Sequence, residues 1–174
     1  MTTQQDSLYQ QAGTQFAPTI ARLARAMERH PERSRDLEQD IHCELWRSFA
    51  RFDGRCSLKT WVYRIAHNVA ADHRMRAARR PAPVPLDEID ELPCAADVEN
   101  AASENHALAR AYELIRMLPT PDAQVMMLWL EGESGNEIAE VTGLSANLVS
   151  TRIHRLKAII SKSLSDPSKE GAQT

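Results

Sequence analysis

The chain has 174 residues, of which 43% are hydrophobic and 26% charged. This composition predicts a soluble chain that can bury the cores of one or two small domains. The longest apolar run, residues 125–130, is too short to span a membrane, and the N-terminal residues lack the basic and apolar regions of a signal peptide. Cys43, Cys56 and Cys94 are widely spaced and form no C-x-x-C pair, which favours a reducing cytoplasm over a disulfide framework.

Charge is distributed unevenly, although the net charge is only −3. Residues 17–80 hold 14 Lys and Arg against 8 Asp and Glu, whereas residues 81–105 hold seven acidic residues and no Lys or Arg. Four of the nine prolines also lie between residues 81 and 93. Because proline and dense acidic charge both disfavour a packed core, we predict a linker over 81–104. It would join helical domains at 15–80 and 105–165; a long surface loop within one domain is the alternative.

The first half of the chain has the apolar spacing of helices. Apolar residues recur every three or four positions over 20–27, over about 35–52 and from residue 58 onward, which predicts three helices. Pro31 and Gly54 separate these helices. No convincing alternation of the kind found in strands is present, so the predicted fold class is all-α.

The second half predicts further helices with clear start and stop signals. An apolar stripe over 108–118 marks the first of them, and Thr120 is expected to cap the next, with Pro121 at its first position. Ser134 and Glu137 fit a capping box that opens a short helix. Gly143 is expected to end that helix in the left-handed conformation.

A turn over residues 142–145 and a last helix after it complete a helix-turn-helix pattern. In this motif the second helix enters the major groove of duplex DNA. Polar side chains near its start are expected to reach base edges, and basic side chains further along to hold phosphates. An ordinary helical hairpin with a solvated outer face is the alternative. The predicted duplex-contacting residues are Ser145, Asn147, Ser150, Thr151, Arg152, His154, Arg155 and Lys157.

Aromatic and basic residues alternate in the N-terminal domain, where five of the nine aromatic residues lie between positions 46 and 63. Stacking faces beside positive charge suit single-stranded nucleic acid. Phe49 and Phe52 lie on the apolar stripe and are expected in the core. Trp61 and Tyr63 point about 200° apart on a helix, so we expect one of them to be exposed.

Several stretches, taken together, resemble the extracytoplasmic-function (ECF) group of bacterial sigma factors. Conserved region two is matched by Asp36-Leu37-Glu38-Gln39-Asp40, Leu45-Trp46-Arg47 and Thr60-Trp61-Val62-Tyr63-Arg64-Ile65-Ala66-His67-Asn68 with Asp72. Region four is matched by Leu118-Pro119, Glu137-Ile138-Ala139-Glu140, Gly143-Leu144-Ser145 and Val149-Ser150-Thr151-Arg152-Ile153-His154-Arg155. The chain departs from the family pattern at Met75 and Ser150, where Arg and Lys are common, and at Pro121-Asp122-Ala123-Gln124, where an Arg is usual.

The resemblance implies a transcription-initiation subunit that binds core RNA polymerase and promoter DNA, and that is not an enzyme. It implies no cofactor and no metal, a cytoplasmic location without membrane contact, and an anti-sigma factor as a further partner. The implied polymerase contacts are Asp36, Leu37, Gln39 and Asp40. The implied minus-ten contacts are Arg55, Ser57, Lys59, Trp61, Tyr63, Asn68, Arg76, Arg79 and Arg80, and residues 145–157 would read the minus-thirty-five element.

Other functions remain open at this stage. A two-domain regulator that binds duplex DNA without polymerase would explain the helix-turn-helix but not the acidic stretch 36–40. A helical adaptor without a nucleic-acid role is a second alternative. An enzyme is disfavoured, because the six histidines are scattered and neither H-E-x-x-H nor a P-loop is present. The favoured interpretation predicts two separate DNA-binding modules held on a tether.

Overall fold

The computed structural model describes residues 3–79 and 101–165, with side chains described over 106–162 in the second range. These two ranges are helical and contain no strand, so the predicted all-α fold class is confirmed. None of their helices is long and apolar enough to cross a membrane. The helices are α1 (Gln4–Met27), α2 (Pro31–Ser48), α3 (Leu58–Ala78), α4 (Ala101–Met117), α5 (Thr120–Leu130), α6 (Gly135–Thr142) and α7 (Ala146–Ser165).

The first two helices begin earlier than the apolar pattern predicts. α1 begins at Gln4, where Thr3 and Asp6 form a capping box that satisfies the first backbone N–H groups. α2 begins at Pro31, at a position where the missing N–H of proline costs no hydrogen bond. Most of the predicted linker lies outside the described residues, although α4 begins at Ala101, within its last four positions.

Helices α1, α2 and α3 pack together as the N-terminal module. Its core contains the buried side chains of Ile20 from α1, Ile41 from α2 and Val62 from α3. Tyr63 is buried and Trp61 is partly buried, so the two differ in burial as expected, but neither is fully exposed. The reason is that α3 has partners on more than one side, since it contacts α1, α2 and α6.

Helices α4 to α7 form the C-terminal module, and its local signals are mostly where the sequence places them. The capping box of Ser134 and Glu137 is confirmed, and Gly143 adopts the left-handed conformation with φ 75°. The start of α5 is shifted by one residue, because Pro119 is the N-cap and Thr120 is already helical. Leu108, expected on the inward stripe of α4, is exposed.

The two modules contact each other, which differs from the predicted arrangement of separate halves on a tether. α4 and α5 lie against α1, and α5 and α6 lie against α3. The buried apolar side chains of both modules belong to one continuous cluster. Opposite charge favours this contact, since the N-terminal half is basic and residues 106–149 hold six acidic against two basic residues.

Candidate nucleic-acid interface

The loop that precedes α3 presents a basic side chain at the surface. Ser57 caps α3, because its Oγ accepts a hydrogen bond from the backbone N–H of Thr60 at 3.0 Å. Arg55 projects into solvent, with its Nε 3.0 Å from the carboxylate of Asp53. Gly54 between them has φ 74°, a conformation that few other residues adopt readily. The loop therefore holds Arg55 beside the start of α3. The side chain of Ser57 is used to cap this helix.

The two aromatic residues predicted to stack on DNA are in different environments. The ring of Trp61 lies 5.3 Å from that of Phe52, and its indole N–H donates to Ser48 Oγ at 2.9 Å. Trp61 remains half-buried, so part of its surface is accessible. Tyr63 is buried against Phe16, with ring centroids 5.8 Å apart, and its ring is not available for stacking in this arrangement.

A groove of about 480 Å³ runs between α2 and α3. It brings Asp40, predicted to bind polymerase, next to Asn68 and Arg76, predicted to bind DNA. Asp36 and Gln39 are exposed on the same helix as Asp40.

Leu37 is the fourth residue implied for polymerase binding, and it is fully buried. It therefore anchors α2 in the core and cannot contact a partner directly. Arg79 is exposed beyond Arg76 at the end of α3, where a DNA phosphate could reach it. Arg80, also predicted to contact the minus-ten element, lies outside the described residues.

Lys59 is held by the C-terminal module in this structure. Its Nζ lies 2.9 Å from a carboxylate oxygen of Glu133 and 2.9 Å from one of Glu137. The contact with Glu133 is an ion pair without hydrogen-bond alignment, and Glu133 itself is buried. The backbone N–H of Ser134 first, and Lys59 second, lower the pKa of Glu137 to about 2. Lys59 therefore pairs with carboxylates where the sequence predicts a DNA phosphate.

Other basic side chains of α3 also reach across the contact between the modules. Arg64 donates to the backbone carbonyl of Glu140 at 3.0 Å. Arg74 donates to the carbonyls of Arg116 and Leu118 at 3.1 and 2.8 Å. These contacts satisfy carbonyl groups at and near helix ends, which have no partner within their own helices. They bring one side of α3 into the module interface.

Helix α7, which is predicted to enter the major groove and is here called the recognition helix, presents a polar surface at its start. Ser145 caps it by accepting from the backbone N–H of Leu148 at 3.2 Å. Asn147 and Ser150 are exposed, and Thr151 is exposed while donating to the carbonyl of Asn147 at 2.9 Å. His154 follows one turn later on the exposed surface. The predicted base-reading residues are therefore brought together on one accessible helix.

The three basic residues of α7 predicted to hold phosphates already have partners. Arg152 and Arg155 both form ion pairs with Asp122 of α5. Lys157 lies over the ring of Trp129, with its Nζ 5.0 Å from the centroid. Asp122 and Trp129 were not predicted from the sequence to be parts of this surface. The sequence did hold one signal for Asp122, because the stretch that contains it lacks the Arg that is usual in the family.

Over the described residues, the protein consists of two helical modules, the second of which contains a helix-turn-helix. A family model described as Sigma-70 region 2 matches residues 14–80, and one described as Sigma-70, region 4 matches residues 108–160. Together the two matches cover more than half of the chain. The chain belongs to the sigma-70 family of RNA polymerase sigma factors, within the ECF group.

Individual relatives agree with this assignment. The chain is 28% identical over 142 residues to the RNA polymerase sigma-H factor of Pseudomonas aeruginosa, covering 76% of this chain and 74% of that protein. It is 29% identical over 140 residues to the ECF sigma factor RpoE of Cereibacter sphaeroides, covering 79% and 76%. It is 25% identical over 153 residues to the probable sigma factor RfaY of Xanthomonas campestris, of whose length it spans 38%.

A solved structure has the same fold. CnrH, in complex with the cytosolic domain of CnrY, superposes with a TM-score of 0.66 at 26% sequence identity. The match covers 92% of this chain and 89% of CnrH. The class of the protein is therefore a transcription-initiation sigma factor, and a regulator that acts without polymerase is not favoured.

Proposed function

We propose that this chain binds core RNA polymerase in the cytoplasm, directs it to promoters and helps to open the DNA, while catalysing no reaction itself. The observation that carries the proposal is the presence, in one chain, of an exposed recognition helix and a separate groove that joins Asp40 to Asn68 and Arg76. A simple duplex-binding regulator would need the first of these surfaces but not the second.

The N-terminal module would have two tasks on adjoining surfaces. Asp36, Gln39 and Asp40 on α2 would bind the polymerase through their exposed polar side chains. The accessible part of Trp61 and the amide of Asn68 would bind the melted minus-ten strand. The basic side chains that would hold its phosphates are Arg55, Arg76 and Arg79, which are exposed.

Binding to a melted strand can supply the free energy that DNA opening requires. Separating a duplex costs roughly 1.4 kcal/mol per base-pair step. Stacking a base on an aromatic side chain contributes about 1–3 kcal/mol, and a flipped base can add hydrogen bonds from its exposed edge. A few such contacts offset the opening of a short segment, so no nucleotide hydrolysis is needed.

The modules must part for both promoter elements to be bound at once. The minus-ten and minus-thirty-five elements lie about 25 base pairs apart, which is roughly 85 Å of duplex at about 3.4 Å per base pair. A globular chain of this length has a diameter of roughly 40 Å. We therefore propose that the contact between the modules opens when the chain is on the polymerase, which also releases Lys59 from Glu133 and Glu137.

A protein partner that restrains the chain is part of the proposal. The family resemblance implies an anti-sigma factor, and the similar protein CnrH was solved in complex with the cytosolic domain of CnrY. For this chain we propose a partner of the same class, which would be found by purifying the chain from its host and identifying the proteins that remain bound.

The test is transcription in vitro from a library of DNA fragments, with core polymerase and this chain. We expect transcripts that start downstream of two shared sequence elements at a near-constant spacing, and none of these with core polymerase alone. Binding of the chain to core polymerase is measured in parallel by size-exclusion chromatography. Failure to bind the core, or transcripts that match those of core polymerase alone, would contradict the proposed function.

A further inference from the structure

One acidic residue lies behind the recognition helix and holds two of its arginines. Asp122 is in the first turn of α5, and its side chain is only 7% exposed. One carboxylate oxygen accepts from Arg152, and the other accepts from Arg155 Nη2 at 2.6 Å. The positive end of the α5 dipole stabilises a carboxylate at this position. Asp122 therefore holds the side chains of Arg152 and Arg155 in place on α7.

The two arginines differ in what they can still contact. The side chain of Arg152 is 23% exposed, and its Nε is buried without a hydrogen-bond partner in the described residues. It therefore joins α7 to α5. The side chain of Arg155 is 59% exposed. Because a guanidinium has five N–H donors, Arg155 can bond Asp122 and still donate to a second acceptor outside the protein.

We infer that Asp122 is a positioning residue for DNA recognition, which fixes Arg155 so that its guanidinium bridges Asp122 and an acceptor on the minus-thirty-five duplex. The inference rests on the proposed function. An anchored arginine loses less freedom on binding than a free one, because its orientation is already set. The acceptor is a DNA oxygen or nitrogen, on a phosphate or on a guanine edge, since both accept from the planar guanidinium.

Asp122 also limits binding to the wrong sequences. Attraction of cationic side chains to phosphates is independent of sequence and dominates non-specific affinity. The single negative charge of buried Asp122 offsets part of the positive charge of Arg152 and Arg155 and so weakens this attraction, while its geometry favours one orientation of Arg155. Both effects increase the ratio of affinity for the cognate element to affinity for other DNA.

The experiment measures that ratio for holoenzyme made with the full chain. The probes are a promoter fragment selected by wild-type holoenzyme and the same fragment with its minus-thirty-five element scrambled. Asp122→Asn is expected to lower the ratio roughly five- to tenfold, with affinity for the scrambled fragment unchanged or higher. Asp122→Glu retains the carboxylate and is expected to stay within about twofold of wild type.

Two further variants separate positioning from folding and from general charge. Arg155→Lys retains the charge and the pair of Asp122 with Arg152 but loses the planar fork, so it is expected to lower the ratio as Asp122→Asn does. Glu140→Gln removes one exposed negative charge from the same module without touching the α7 arginines, and is expected to leave the ratio unchanged. Thermal unfolding shows whether Asp122→Asn remains folded. If it does not, the affinity ratio of Arg155→Lys alone tests the inference.

Single base changes in the promoter distinguish the two acceptors. A guanine contact predicts that Arg155→Ala relaxes the preference at one base pair, whereas a phosphate contact predicts a uniform loss of affinity. The inference is overturned if Asp122→Asn, while folded, and Arg155→Lys both retain the wild-type ratio. If wild-type holoenzyme selects no promoter at all, the proposed function fails instead, and the two failures are therefore distinct.

Discussion

His67 is a histidine whose surroundings keep it uncharged. It is buried in α3, and its Nδ1 has no hydrogen-bond partner among the described residues. Burial lowers its pKa to about 4, from an ordinary value near 6.5. Between these two pH values the unfolded chain binds a proton that the folded chain does not. The free energy of unfolding is therefore unaffected by the titration of His67 above about pH 6.5 and decreases as the pH falls from there toward 4.

We expect acidification from pH 7 to pH 5 to cost the wild-type chain about 2 kcal/mol of unfolding free energy through His67. His67→Gln removes the titrating group and is expected to show a correspondingly smaller loss over the same interval. Urea unfolding at each pH provides the measurement. His154→Gln, which changes an exposed histidine, serves as the control and should retain the wild-type dependence. An equal loss in His67→Gln and wild type would contradict the assignment.

Trp61 combines a structural contact with the accessible surface proposed for strand binding. Removing the whole side chain would also remove the support of Phe52, so Trp61→Phe is the sharper variant. We expect it to form fewer open complexes while closed-complex affinity stays near wild type, because base stacking weakens with the smaller ring. Permanganate reactivity of melted thymines reports opening, and a gel shift reports binding. Tyr63→Phe is the matched control, since Tyr63 is buried and should not affect opening.

At the level of the helices, α2 has one side that packs into the core and another that is proposed to bind the polymerase. Leu37 is buried, whereas Asp40 lies in the groove with Asn68. We expect Asp40→Ala to weaken binding to core polymerase roughly tenfold, or about 1.4 kcal/mol, without a change in thermal stability. Fluorescence titration with labelled chain measures the affinity. Glu32→Gln, on the same helix but outside the groove, should bind as wild type does; unchanged affinity in Asp40→Ala would remove Asp40 from the polymerase surface.

Helix ends were predictable from sequence where they depend on neighbouring residues. Ser134, Glu137 and Gly143 form their cap and turn through contacts within a few positions, so their residue types suffice. The start of α1 was missed because its first turns are polar and lack a long apolar stripe. Tyr63 was predicted to contact DNA, but it is buried because α3 is covered on several sides.

The candidate site was predicted less completely, because its key pairings join distant parts of the chain. The exposed residues of α7 follow from the helix-turn-helix pattern alone. The pairs of Lys59 with Glu133 and of Arg155 with Asp122 join residues 74 and 33 positions apart in sequence. No local pattern encodes such pairs. The opposite charge of the two halves was visible, but it indicates attraction in general and not which side chains meet.

For the whole molecule, the polar character of the module contact makes it sensitive to salt and to charge reversal. Within the described residues, four ion pairs join the N-terminal module to the C-terminal module: Lys59 with Glu133 and with Glu137, Arg22 with Glu131, and Arg29 with Glu113. The basic partner in each pair is partly exposed, although Glu133 is buried, so dissolved ions screen much of the attraction. We expect the radius of gyration of the free chain, measured by small-angle X-ray scattering, to increase between about 0.1 and 1 M salt, at about 10 and 3 Å Debye length. A constant radius would indicate that these ion pairs are not needed to hold the modules together.

A single reversed charge should separate the modules more specifically than salt does. Glu133 is buried beside Lys59 and belongs to neither predicted DNA surface. In Glu133→Lys two ammonium groups would meet in the closed arrangement, and leaving a buried charge unpaired is costly, so the open arrangement is favoured. We expect a larger radius of gyration at low salt with unchanged helix content. Glu140→Lys makes the same charge change at an exposed position of α6 and should remain compact. If both variants scatter as wild type does, the pair of Lys59 and Glu133 does not hold the modules closed, and the opening required to span the two promoter elements depends on other contacts.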